Sequence, residues 1–221
     1  VEETNTTKTS GQLPFPDGNM SEQQQSALNM ALTNPVSVLT GGPGTGKTFA
    51  VARILALLIE PNRDTQLHIA LAAPTGKAAT RLQESIKKAK AGLNCDESVK
   101  ASIPEEASTV HRLLGSIPNS PSFRFNRYNP LPIDIVIIDE ASMVDLALFS
   151  RLAQAIRPQS RLILLGDKDQ LASVEAGSVL GDICDTGNIH SFSSSFIENC
   201  RRATGEDIHQ RDPGSSAAGM N

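Results

Sequence analysis

The octapeptide GGPGTGKT, Gly41 to Thr48, constrains this chain more than any other stretch. It fits the pattern G-x-x-x-x-G-K-[ST] with Gly41, Gly46, Lys47 and Thr48. Before it, VSVLT reads as a short buried strand. After it, FAVARILALLIE reads as an apolar helix that Pro61 stops. A glycine-rich loop between a strand and a helix is a phosphate cradle. Its glycines allow a tight turn, so the stretch Gly42, Pro43, Gly44, Thr45 and Gly46 can wrap backbone N–H groups around phosphate oxygens. The helix start adds the positive end of a dipole. Lys47 is expected to reach the β and γ phosphates, and Thr48 to coordinate Mg²⁺ through its hydroxyl. The ligands expected are therefore a nucleotide and Mg²⁺.

The same grammar recurs along the chain. LHIALAA, PTGK and AATRLQESIKKAKA read as strand, turn and helix. IDIVIID, DEAS and LALFSRLAQAI repeat the series, and RLILLG followed by DKDQ begins it again. Four strand–loop units in this order predict an α/β fold of the P-loop NTPase class, a parallel sheet with helices on both faces. A further helix is expected from Ser21 through SEQQQSALNMAL, ending at Asn34-Pro35. Residues 1–19 read as a polar lead-in, 20–200 as the folded domain and 201–221 as a loose polar tail. An insert at about 92–132 breaks the grammar with Pro104, Pro118, Pro121, Pro130 and Pro132, and SFSSSFIENC is a weak candidate for a short helix.

Ligands of open parallel sheets bind beyond the carboxyl ends of the strands, so the residues there carry the chemistry. Asp139 and Glu140 close an apolar strand, which suits a metal-linked acid and a water-activating base. Gln170, beyond RLILLGDKD, is a neutral amide able to orient water beside a γ-phosphate without adding charge. The stretch FRFNRYNP interleaves Phe123, Phe125 and Tyr128 with Arg124 and Arg127. Such a stretch either stacks bases and meets phosphates or forms a hairpin packed on its own domain, and the second reading is favoured.

Composition narrows the classes. The net charge of −4 and pI near 5.6 do not advertise nucleic-acid binding, though an acidic body can carry a local basic groove. Cys95, Cys184 and Cys200 are odd in number and widely spaced, so they suggest neither a disulfide framework nor a zinc site. That fits a reducing cytosol. No apolar run approaches the roughly 18 residues of a membrane span, and the polar N-terminus has no signal-peptide core.

Taken together, APTGKAATRL, IPEEASTVHRLLG, NPLPIDIVIIDEASM and GDKDQLASVEAGSVLGDIC resemble superfamily 1 DNA helicases, and more narrowly the RecD family, the alpha subunits of exodeoxyribonuclease V. The resemblance covers about residues 20–205. It implies a RecA-like motor lobe of an ATP-dependent 5′-to-3′ DNA helicase, acting on single-stranded DNA in double-strand break repair by recombination. It also implies RecB-like and RecC-like partners with nuclease activity in the complex, and a bacterial cytoplasmic setting. On this resemblance Gln24 matches the glutamine that reads adenine. Pro74, Thr75, Gly76 and Lys77 match a segment that holds the single-strand backbone, and Thr109 and His111 match a second DNA-contacting segment. The family's second lobe supplies arginines to the γ-phosphate, and the chain carries the motifs of the first lobe only. Arg201-Arg202 does not match those finger arginines. Two other readings stay open: a small-molecule P-loop kinase, and a nucleotide-gated binding module that does not hydrolyse ATP.

Overall fold

Five short strands form one sheet in the computed structural model, which describes residues 22–42, 44–167 and 180, the side chains of residues 22–27 excepted. They are β1 (Val36–Thr40), β2 (Ile69–Ala73), β3 (Ala107–Thr109), β4 (Ile135–Ile138) and β5 (Arg161–Gly166). All four pairings are parallel, in the order β1-β5-β4-β2-β3. The helices are α1 (Glu22–Thr33), α2 (Lys47–Ile59), α3 (Gly76–Ala91), α4 (Glu97–Ser102), α5 (Val110–Leu114) and α6 (Leu146–Ala155). Parallel strands need crossover connections, and α2, α3 and α6 supply them. The described residues fall within one compact unit, Met20–Ile189. The lead-in 1–19, the tail 201–221, the stretch SFSSSFIENC and Gln170 lie outside the described residues.

Strand alternation sorts the core into two faces. Val136, Ile138, Leu162 and Leu164 join Val110 and Leu114 of α5 and Leu148 and Leu152 of α6 in one buried cluster. The alternate residues Ile137, Ile163 and Leu165 are also buried. On this second face α2 packs between α1 and α3, and α3 lies on β2. Burial from both sides explains why β4 and β5 read as continuous apolar runs. It also explains α2, whose residues from Ala50 to Ala56 are all buried. Arg53 is buried there too, with its guanidinium 4.8 Å from the ring centre of Phe49.

The sequence differs from the structure in two respects. The insert holds a fifth strand, β3, and two short helices, where no element was expected. Ala-Ser-Thr has no apolar alternation, and it becomes a strand by pairing with β2, Leu71 to Ala107 through Ala73 to Thr109. Two helices also start earlier than the apolar pattern suggests. α2 begins at Lys47 because Gly46, in the left-handed region at φ 81°, turns the chain into it. α3 begins at Gly76 because the Thr75 hydroxyl accepts from the Ala78 N–H at 3.2 Å. Lys47 and Lys77 thus sit in the first turns of helices.

Candidate nucleotide site

The loop between β1 and α2 is shaped by glycine. Gly44 and Gly46 have φ of 75° and 81°, which side-chain-bearing residues rarely adopt. A Cβ at Gly42 or Gly44 would meet nothing within 4 Å, so the space beside these two residues is open. The Thr45 hydroxyl donates to the Gly42 carbonyl at 2.9 Å, and the Lys47 ammonium donates to the carbonyls of Gly41 and Gly42, the latter at 3.0 Å. No side chain caps α2 and no acid stands in its first turn, which leaves its first N–H groups to an anion. Thr48 lies half-buried in that turn, and Pro43 lies outside the described residues. An open cradle with free helix donors, a lysine and a hydroxyl fits a polyphosphate with a divalent cation.

Sheet order sets the neighbours of this loop. β5 lies between β1 and β4, so its end separates the loop from Asp139 and Glu140. The Gly166 carbonyl accepts from the Gly41 N–H at 3.2 Å. A Cβ on Gly166 would lie 3.3 Å from the Ser142 nitrogen and would collide with Leu180. Glycine here lets the phosphate loop, the end of β5 and the segment after β4 approach closely. That role of Gly166 was not foreseen, although a glycine closing an apolar strand is a visible cue.

Asp139 is tied down from both sides. Its N–H donates to the Ala72 carbonyl at 2.9 Å, and its Oδ1 accepts from the Glu140 N–H at 3.0 Å. Burial pushes its carboxyl above the ordinary aspartate range, and the charge of Glu140 adds to the rise. The Glu140 N–H bond and the nearby Lys47 charge pull the other way, so the lysine and the acid feel each other across the site. Glu140 has φ 52° and ψ 41°, a left-handed conformation unusual for glutamate. It opens a single 3-10 turn, Ala141–Met143, in which the buried Ser142 hydroxyl has no hydrogen-bond partner.

The PTGK and Thr109–His111 candidates lie on the β2–β3 side. Pro74 is half-buried, and Thr75, Gly76 and Lys77 are exposed at the start of α3. Thr109 caps α5, its hydroxyl accepting from the Arg112 N–H at 3.2 Å. His111 is exposed, its ring 5.9 Å from that of Phe123 and tilted by 55°. Since β2 pairs with β3, these two loops are neighbours. Gln24 lies in α1, with its side chain outside the described residues, and Gln170 lies outside them altogether.

The aromatic–arginine stretch divides between its two readings. Phe123 and Phe125 pack against the buried cluster of α5 and α6, as in a hairpin held on its own domain. The Arg124 and Phe125 N–H groups donate to the carbonyls of Gly115 and Leu114. Tyr128 is 85% exposed, with Arg127 5.0 Å from its ring centre. A cavity of about 230 Å³ opens between this hairpin and Arg151 and Gln154 of α6.

Among families, the AAA domain matches residues 24–176. The chain is 49% identical over 164 residues to the RecBCD enzyme subunit RecD of Haemophilus influenzae, covering 72% of this chain and 26% of that protein. It is 51% identical over 174 residues to the RecBCD enzyme subunit RecD of Mycobacterium tuberculosis, covering 77% and 30%. It is 42% identical over 158 residues to the ATP-dependent RecD2 DNA helicase of Deinococcus radiodurans, covering 72% and 19%. The chain thus spans less than a third of the length of these relatives. The resemblance read from the motifs is borne out.

Proposed function

The chain belongs to the AAA domain family, and from that premise we propose that it is the ATP-binding lobe of an ATP-driven, RecD-like DNA helicase. One observation carries the reading. The sheet order puts the phosphate loop, the end of β5 and the acidic pair side by side, with the PTGK and Thr109–His111 loops next along the same edge. A nucleotide site and a strand-binding site on one rigid sheet is the arrangement a motor requires. The relatives' names, RecBCD enzyme subunit RecD and ATP-dependent RecD2 DNA helicase, support it.

In this reading the loop from Gly42 to Gly46 donates N–H groups to the phosphates, and Lys47 leaves its loop carbonyls to meet them. Thr48 and Asp139 hold Mg²⁺, which when bound neutralises charge on the phosphate oxygens. Among the described residues no three of His, Cys, Asp and Glu cluster as a metal site. Glu140 orients and deprotonates the attacking water, Gln170 senses the γ-phosphate and Gln24 reads adenine. Pro74, Thr75, Gly76, Lys77, Thr109 and His111 line the path of single-stranded DNA. Arginines from a second lobe complete the site and contribute on the order of 10³–10⁵ in rate. The whole motor moves 5′ to 3′ beside RecB-like and RecC-like subunits, in a bacterial exodeoxyribonuclease V that repairs double-strand breaks by recombination. Among the described residues no helix is long and apolar enough to cross a membrane.

Fluorescence anisotropy with a labelled single-stranded oligonucleotide tests the DNA half. Lys77→Ala should weaken binding at all sequences and lower the slope of log affinity against log salt by about 1. An unaltered slope would remove Lys77 from the path.

A further inference from the structure

The first helix is anchored at its C-terminal end. α1 reads EQQQSALNMALT, and Leu28 and Ala31 are its buried apolar residues among those described. Twelve residues make a helix that is marginal on its own, so its place depends on tertiary contacts. Pro35 has no N–H to give the Ala31 carbonyl, so that carbonyl lacks its intrahelical partner. The Ser37 hydroxyl of β1 donates to the Met30 carbonyl at 3.2 Å, which also accepts from the Asn34 N–H at 3.0 Å. Arg161, the first residue of β5, reaches past the entrance of β1, and its Nη1 donates to the carbonyls of Ala31 and Asn34, both at 3.0 Å. Arg161 is fixed at its own backbone, where its N–H donates to the Asp134 carbonyl and the next N–H, of Leu162, donates to Pro35, both at 2.8 Å. A guanidinium at a helix C-terminus also opposes the negative end of the dipole.

This clamp acts at a distance. Asn34-Pro35 joins α1 directly to β1, and the two pack together. From Asn34 back to Gln24 is about 15 Å of one continuous helix. A shift of the helix at Asn34 displaces Gln24 by a similar amount, and Arg161 holds that end.

We propose that Arg161, by clamping the Ala31 and Asn34 carbonyls, is the positioning residue that sets the adenine preference of the nucleotide site through α1. The proposal rests on the reading of Gln24 as the adenine contact. It touches neither phosphate nor metal, so it separates base recognition from phosphate binding.

Calorimetric titration of Mg·ATP, Mg·GTP and magnesium tripolyphosphate into the full chain tests it, with Arg161→Met, Arg161→Lys and Gln24→Ala compared by thermal melts for folding. The wild type should prefer ATP to GTP. Arg161→Met should bind ATP on the order of tenfold more weakly, the scale of one hydrogen bond, with tripolyphosphate affinity unchanged. Arg161→Lys, which keeps the charge but not the fork, should fall between. If Arg161→Met does not fold, the partial loss in Arg161→Lys carries the test. Retention of the ATP preference in the Arg161 variants while Gln24→Ala loses it would overturn the proposal and leave the adenine reading intact. Equal weakening for all three ligands would also overturn it, as the mark of a purely structural residue. Retention of the preference in Gln24→Ala would overturn the adenine reading and the proposal with it.

Discussion

At the scale of single residues, the site holds two groups in costly states. Glu140 sits in the left-handed region, which costs a side-chain-bearing residue about 1–2 kcal/mol. Glycine there recovers that strain less about 0.5–1 kcal/mol of backbone entropy. Glu140→Gly should therefore raise stability by about 0.5–1 kcal/mol in urea melts while abolishing ATP turnover. A less stable variant would show that the conformation is not strained. Asp139 is the second case. Its folded carboxyl titrates above the free aspartate because burial disfavours the charge. The folded state then holds that proton more tightly than the unfolded chain, so stability is lost as pH rises from the ordinary aspartate range through the raised value. Asp139→Asn has no such loss. Urea melts across pH should show a stability gap in favour of the variant that opens above about pH 4 and widens until the pH passes the raised value, and a gap that closes with rising pH would contradict the burial argument. The sequence made Lys47, Thr48, Asp139 and Glu140 legible as candidates, because a phosphate loop has a fixed spacing and acids at a strand end are conspicuous. It did not reveal the strain at Glu140 or the clamp of Arg161, since a backbone angle and a reach across two strands leave no pattern in neighbouring residues.

At the scale of elements, helix starts and close approaches place the chemistry. Thr75, Thr109 and Asp145 each accept a backbone N–H at the start of α3, α5 and α6. Two of these caps are also candidate DNA residues, so their hydroxyls have a structural task already. Among the described glycines, Gly166 leaves the least room for a Cβ. Gly166→Ala would press a methyl on Ser142 and Leu180, and overpacking of this kind costs about 1–3 kcal/mol. The variant should melt earlier and bind Mg·ATP more weakly, because the shift falls between the phosphate loop and the acid. Wild-type melting and affinity would contradict the close approach. The strands that flank the site were legible from their apolar runs. β3, α4 and α5 were not, because a three-residue strand of Ala, Ser and Thr exists only by pairing with β2, and the prolines of the insert hide helices of six and five residues.

At the scale of the molecule, the order β1-β5-β4-β2-β3 turns separate motifs into one working edge. The parallel α/β class was legible from repeated strand–loop–helix grammar. The order of strands was not, since adjacency depends on which crossover packs on which face, and that order decides which loops meet. The proposed function stands on ATP binding by the loop between β1 and α2, which a calorimetric titration of Mg·ATP into the chain and into Lys47→Ala decides. The wild type should show saturable one-to-one binding, lost in a variant that melts at the same temperature. Equal affinity in the two proteins would contradict it.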